Sequence, residues 1–343
     1  MHDITIRGAG IFGLSIAWAC VKRGARVQVI DPHGPAAGSS GGVVGALAPH
    51  VPENWNPKKA FQLESLLMAE AFWRDVDRAG GGNSGYARTG RLQPIADDRQ
   101  HALAQDRART ARELWQDHAR WEVVSATGAA WEPASPSGHL IRDTLSALVH
   151  PRRGCASLVM ALAARGVHVQ AEARDEGRSL WATGARGLEE LSATHHRLVG
   201  TGVKGQAALL RYDAAGAPQL FAGGVHVIPH GDGTVAVGST SEREYDSPDR
   251  PDALLDEVIA RARAAVPALA TAPVITRWAG LRPRSRSRAP MLGPWPDKAG
   301  HFIANGGFKI GFGMAPKVAE VMADLMLEGI DRIPEGFGVA DNL

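Results

Sequence analysis

The chain has 343 residues, enough for one large core or two smaller ones, and its 44% apolar and 22% charged content is that of a soluble globular protein. Its 38 basic and 36 acidic side chains leave a formal charge of +2, so nothing in the overall charge makes nucleic acid or a membrane surface an expected partner. The two cysteines, Cys20 and Cys155, form no CxxC, which excludes a disulfide framework or a zinc knuckle and fits a reducing compartment. MHDITIR carries charges where a signal peptide has its apolar core, and no run approaches the roughly 18 apolar residues of a membrane span. The expected location is cytoplasmic.

Taken from the N-terminus, Ile4 to Arg7 reads as a strand, followed by Gly8-Ala9-Gly10-Ile11-Phe12-Gly13 with G-x-G-x-x-G spacing. Leu14, Ala17, Trp18 and Val21 recur at helical intervals until Gly24, and Val27 to Ile30 is a second strand ended by Asp31 and Pro32. In that setting Gly8 makes the tight turn, Gly10 lets backbone reach a pyrophosphate, and Gly13 lets the helix lie on the strand. The first helical turn, at Ile11 and Phe12, offers free N–H groups to phosphate, and Asp31 accepts from ribose hydroxyls. The combination predicts a dinucleotide site.

Residues 34–57 then leave regular strand–helix alternation for a Gly/Ser/Pro stretch, GPAAGSSGGVVGALAPHVPENWNP. Long loops inside compact domains usually serve function, and a flavin needs backbone close to its flat ring system. Helical spacing returns over 58–79, ended by GGGNSG. YARTGRLQPIA reads as a strand or hairpin edge, 99–121 as an amphipathic helix, Cys155–Arg165 as a helix, and 167–169 as a short strand reaching Val169. SLWATGARG is an apolar strand running into Thr183-Gly184, and 219–240 has β character with HGDG as a hairpin turn. Pro251–Ala265 is a helix, ITRWAGLRPRSRSRAPMLG is extended, and the last helix is expected from Pro316 to Leu327. Strand-rich segments interleave with α/β pieces. The fold class expected is an α/β FAD-binding Rossmann-like domain with an inserted α+β substrate domain built on an antiparallel sheet. The first comprises 1–57, 146–205 and 275–343, the second 58–145 and 206–274.

The N-terminal GAGIFG, SSGGVVGALAPH, WATGARG, VHVIP, WAGLRPRSRSRAPMLG and NGGFKIGFGMAP resemble, in order and approximate spacing, the D-amino acid oxidase superfamily of FAD-dependent amine oxidases. The likeness is to its glycine oxidase and sarcosine oxidase branches and covers nearly the whole chain. It implies oxidation of a C–N bond of a small amino acid or amine, with FAD as hydride acceptor and O2 or another acceptor taking the electrons on. FAD is expected to be non-covalent, since no cysteine precedes the final helix.

The resemblance also implies roles for residues. Arg282 clamps the substrate carboxylate, a task that suits a planar guanidinium with parallel donors. Lys309 is a second carboxylate partner. His226 stands where glycine oxidases carry a tyrosine, and His50 ends the flavin loop; both are candidate substrate contacts. Ser39, Ser40 and Gly41 lie by the pyrophosphate and ribityl chain, Gly45, Ala46 and Leu47 pass under the flavin, and Thr183-Gly184 is a second FAD contact. Gly306, Gly307, Phe308 and Ile310 complete the flavin turn around Lys309. Other readings stay open at this stage: a flavin enzyme of tRNA wobble-uridine modification, a dehydrogenase subunit serving a partner, and a flavin binder without turnover.

Overall fold

The computed structural model describes residues 1–296 and 298–343. Its first sheet has six strands in the order Met291–Pro294, His301–Asn305, Arg178–Trp181, Ile4–Arg7, Val27–Ile30 and Val169–Gln170. All neighbours are parallel except the first pair. The central strands are buried on both faces, as a sheet covered on both sides requires, with the polar Thr5 and Gln28 of one face hydrogen-bonded to each other at 2.8 Å. Helix Ile11–Lys22 is buried through most of its length between helices Pro151–Ala163 and Gly311–Glu328.

The second sheet has eight strands, in the order Val274–Ser285, Gly200–Arg211, Thr234–Gly238, Val225–Pro229, Gln219–Ala222, Arg91–Pro94, His139–Asp143 and Trp121–Ser125. Its pairs are antiparallel apart from Gln219–Ala222 with Arg91–Pro94. Side chains alternate across it with period two. Ala208, Leu210, Val225, Val227, Val235 and Val237 pack on helix Ala253–Ala265. Ala207, Leu209, Ile228 and Ala236 face the other way, onto Val43, Val44 and Leu148. The Gly/Ser segment after the second strand is therefore held against the second sheet, tied down by a short Ala46–Leu47 to Ala147–Leu148 pairing. Among the described residues no helix is long and apolar enough to cross a membrane.

Several elements differ from the sequence reading. The final helix runs Gly311–Glu328 and holds Pro316 inside it, because Gly311, Phe312 and Gly313, loop-like in composition, form its first turn. The helix expected to reach 121 stops at Trp115, where Gln116 takes a φ of +50°, and Trp121 instead starts a strand. The strand Gly200–Arg211 had no local signal, and it pairs with Val274–Ser285 over nearly its full length. The expected boundary at 205/206 falls inside that strand, and helix Pro57–Gly80 packs on the helices of the first unit. Composition does not register a strand that runs straight through from one neighbourhood to the next.

Candidate active site

A cavity of about 790 Å³ opens at the carboxyl ends of Ile4–Arg7, Val27–Ile30 and Arg178–Trp181. This is the crevice in which open α/β sheets bind ligands. Gly8, with φ of +106°, has no room for a side chain, since a Cβ there would lie 2.3 Å from the Ala182 carbonyl oxygen. A Cβ on Gly13 would lie 1.8 Å from the Gly8 oxygen, so Gly13 lets the helix sit on the turn. Gly10 differs: a Cβ would meet only Ser40, with Oγ at 3.1 Å, and Gly10 lines the cavity. Its missing side chain leaves open space for a ligand rather than for protein. Ser40 Oγ accepts from the Ile11 N–H at 3.0 Å, which pins the Gly/Ser loop to the start of the helix. The other first-turn N–H groups have no acceptor inside the helix by construction.

The arrangement fits a dinucleotide whose phosphates sit at that helix start. Asp31 lies on the wall, with Oδ2 accepting from Ala9 N at 2.8 Å and Oδ1 from His33 N at 2.9 Å. Each oxygen keeps a further lone pair, but the carboxylate also holds the glycine turn in shape. Pro32, Ser39, Ser40, Gly45, Ala46, Thr183, Gly184, Gly307, Phe308, Lys309 and Arg282 line the same cavity, together with Ile11 and Phe12. Gly13, Gly41, Leu47, Val169, Gly306, Ile310, His50 and His226 are not on its wall. Val169 is paired at the sheet edge, and Gly41 would put a Cβ 2.4 Å from the Ala36 oxygen, which marks a tight loop. His50 is committed to Gln62, whose Oε1 accepts from its backbone N–H at 2.7 Å and meets its Nδ1.

Arg282 reaches the cavity from the second sheet. In the register Gly205 faces Gly280 and Val203 faces Arg282, and a Cβ on Gly205 would come within 2.0 Å of Arg282 Nη2. Gly205 is thus the floor over which the guanidinium lies. Arg282 Nη1 donates to Thr240 O at 3.1 Å and Nη2 to Ser239 Oγ at 2.5 Å. Two of its five N–H donors are so used, and three remain. Burial pushes its pKa down to about 10, opposed by Glu242. Glu242 is itself 3.5 Å from the buried Lys204, which pairs with Asp252 at 2.6 Å.

Lys309 sits in a turn that is tied to the same strand by Phe308 N donating to Pro283 O at 2.9 Å. Burial lowers the pKa of Lys309, and Arg282 and Arg284 lower it further. His226 shares a sheet face with Trp278, since the register runs His226–Gly238–Ala207–Trp278. Burial, with help from Arg91, Lys309 and Arg282, pushes its pKa down to about 4, so it is neutral near pH 7. Its Nδ1 has no hydrogen-bond partner among the described residues.

Sequence reasoning missed Gly205, Ser239, Thr240, Glu242 and Trp278. Their traces are a small-residue position in a long strand, an STSE segment after a hairpin and the tryptophan that opens WAGLRP, which become meaningful only once Arg282 lies across the sheet. Asn305 was also missed; its Nδ2 donates to Gly184 O at 3.0 Å and joins the last parallel strand to the Thr183-Gly184 turn.

Residues 3–325 match the DAO family, FAD dependent oxidoreductase, and the chain belongs to it. It is an FAD-dependent oxidoreductase. Glycine oxidase of Pseudomonas aeruginosa is 27% identical over 94% of both chains. The glycine oxidase structure from Geobacillus kaustophilus superposes with a TM-score of 0.85 at 20% identity, covering 98% of each chain. Iminodiacetate oxidase from Chelativorans sp. BNC1 does so with 0.83 at 22% identity over 98% of each. The tRNA 5-methylaminomethyl-2-thiouridine biosynthesis bifunctional protein of Maricaulis maris is 29% identical, and this chain covers 97% of itself but 53% of that protein.

Proposed function

We propose that this enzyme oxidises the C–N bond of a small amino acid bearing a primary or secondary amine, such as glycine, N-methylglycine or a D-amino acid. The observation that carries this reading is Arg282, a guanidinium on the cavity wall with two N–H groups spent on fixing its plane and three left over. Such a fork suits a carboxylate. Lys309 adds a second cation to the same anion. With the carboxylate anchored, the neighbouring carbon is held at a fixed orientation, which lowers the entropic part of the barrier.

FAD held here would supply the acceptor for the hydride that leaves carbon as the substrate C–N bond becomes C=N, the N–H proton going to solvent. Gly8, Gly10, Ile11 and Phe12, Ser39 and Ser40, Asp31 and Thr183-Gly184 hold its adenosine and pyrophosphate portion. Gly45 and Ala46, with Gly307, Phe308 and Lys309, share the cavity wall and would enclose the ring, with Leu47, Gly306 and Ile310 supporting them from behind. Neither Cys20 nor Cys155 lines the cavity, which supports a non-covalent cofactor. In this reading the six-stranded sheet with its helices holds FAD, and the eight-stranded sheet supplies the substrate wall. His226, neutral and off the cavity wall, feels the charges of Arg282 and Lys309 and acts from behind the lining residues, and His50, bound to Gln62, acts only through the loop. The electrons pass on to O2.

The test is anaerobic addition of glycine, N-methylglycine, proline and D-alanine to the yellow holoprotein. Bleaching by at least one, with colour returning in air, is the expected result. Failure of every amine to bleach the flavin overturns the proposal, and recovery only with an added protein or dye would replace O2 by another acceptor. The tRNA reading is favoured by the Maricaulis maris relative, and is tested by tRNA binding that weakens steeply with salt.

A further inference from the structure

Around Lys309 there is more positive charge than a single carboxylate neutralises: Arg282 and Lys309 line the cavity, and Arg284, off its wall, is close enough for Lys309 to feel its charge. Arg282 and Arg284 are two residues apart on one strand and therefore point to the same sheet face. The Arg284 guanidinium lies 5.7 Å from the centre of the Phe308 ring and the Lys309 ammonium 5.6 Å from the same ring, so the two cations flank one aromatic side chain. Among the described residues none of the three forms an ion pair. Of the nearby acids, Glu242 is engaged by Lys204 at 3.5 Å. Asp249, on the cavity wall, accepts from Ser247 at 2.9 Å, and Glu190 accepts from Arg186 at 3.0 Å. Burial lowers the pKa of Arg284, and the charges of Arg288 and Arg243 lower it further.

An ordinary amino acid at neutral pH is a zwitterion with one carboxylate and no net charge. Placed on Arg282 and Lys309, it leaves Arg284 beside Phe308 without a counter-charge. An amine with two carboxylates carries a net negative charge and meets both clusters. We infer that the preferred substrate is a dicarboxylated amine, its first carboxylate on Arg282 and Lys309 and its second on Arg284 at the rim by Phe308. A concentration of cations on a chain whose overall charge is only +2 also draws such an anion to the cavity by steering. RNA would make less use of Arg282, which is set into the wall beneath Ser239 and Thr240 rather than on an open surface.

The inference rests on the amine-oxidation reading for its chemistry but is separable from it by a ligand that does not react. Thiodiacetate and methylthioacetate are sulfur analogues of a dicarboxylated and a monocarboxylated amine of the same backbone. Titrated into the holoprotein and followed by the flavin absorbance, thiodiacetate is expected to bind about tenfold or more tightly. Arg284→Gln should bring the ratio of the two Kd values close to one, and Arg284→Lys should restore part of it. Turnover should follow the same order, with iminodiacetate above N-methylglycine in kcat/KM. Equal Kd values in the wild type, or a ratio unmoved by Arg284→Gln, would overturn the inference. So would displacement of thiodiacetate by tRNA that depends on Arg284. If neither amine bleaches the flavin but the Kd ratio and its Arg284 dependence hold, the amine-oxidation reading falls and the dianion site stands.

Discussion

Gly10 and Arg282 face one cavity from different sheets, and they are supported in different ways. Around Gly10 most of the contacts are short-range: the turn from Gly8, the helix behind Gly13, and Ser40 and Asp31 within the first 40 residues. Arg282 lies on Gly205 and is held by Ser239 and Thr240, partners some 40 to 80 residues away. A cofactor's phosphate cradle can be written as one motif because a helix terminus and a turn make it. A substrate clamp assembled across strands has no motif beyond the arginine itself.

The strongest way to test that contrast is at the glycines. Gly10→Val should leave purified protein folded by circular dichroism yet nearly free of flavin, because its side chain would fill cavity rather than protein. Gly13→Val should lose the fold as well, since its Cβ would collide with the Gly8 carbonyl. A flavin-replete Gly10→Val would break the assignment of that glycine to the cofactor.

Next in size is Arg282→Ala, expected to raise KM for carboxylated substrates by roughly 30- to 1,000-fold, about 2–4 kcal/mol, with flavin content unchanged. Steady-state kinetics with an unaltered KM would remove Arg282 from the substrate. Gly205→Ala should reproduce a smaller version of the same defect, roughly tenfold in KM, because the added methyl displaces the guanidinium without touching the phosphate cradle. If it instead lowers flavin content, the two halves of the site are less separate than the contacts indicate.

The smallest effect is on pH dependence. Burial pushes His226 and His150 down to about 4, whereas in an unfolded chain a histidine protonates near 6.5. Between those values the unfolded state binds more protons than the folded one, so stability is full above about pH 6.5 and is lost as pH falls towards 4. Thermal melts across that range should show a falling Tm, and His226→Asn should flatten the slope. A Tm that rises on acidification would contradict neutral buried histidines.

Much of the first sheet was legible beforehand. The strand, glycine turn, helix and second strand at 4–30 all lie where the spacing put them, because each is fixed by local backbone chemistry and a 3.6-residue or two-residue repeat. The last helix was misplaced at its start because glycines at 311 and 313 read as loop, while packing on helix Ile11–Lys22 makes them helical. Arg284, Arg286 and Arg288 carried no signal in the sequence that set one of them apart from the others. Alternation along a strand sends Arg282 and Arg284 to the same side, and a turn 25 residues later brings Phe308 and Lys309 beside them.

By itself, then, the sequence determined a strand, glycine turn and helix of the kind that cradles a dinucleotide, and placed an arginine and a lysine in segments that come to line one cavity. These follow from contiguous residues whose conformations are set by their neighbours along the chain. Only the tertiary structure decided that Gly205 is the bed of Arg282, that Ser239 and Thr240 fix its plane, and that Arg284 joins Lys309 across Phe308. Those relations depend on strand register and on sheets folding over one another, and pairing energy spread over many distant residues leaves no local pattern to read.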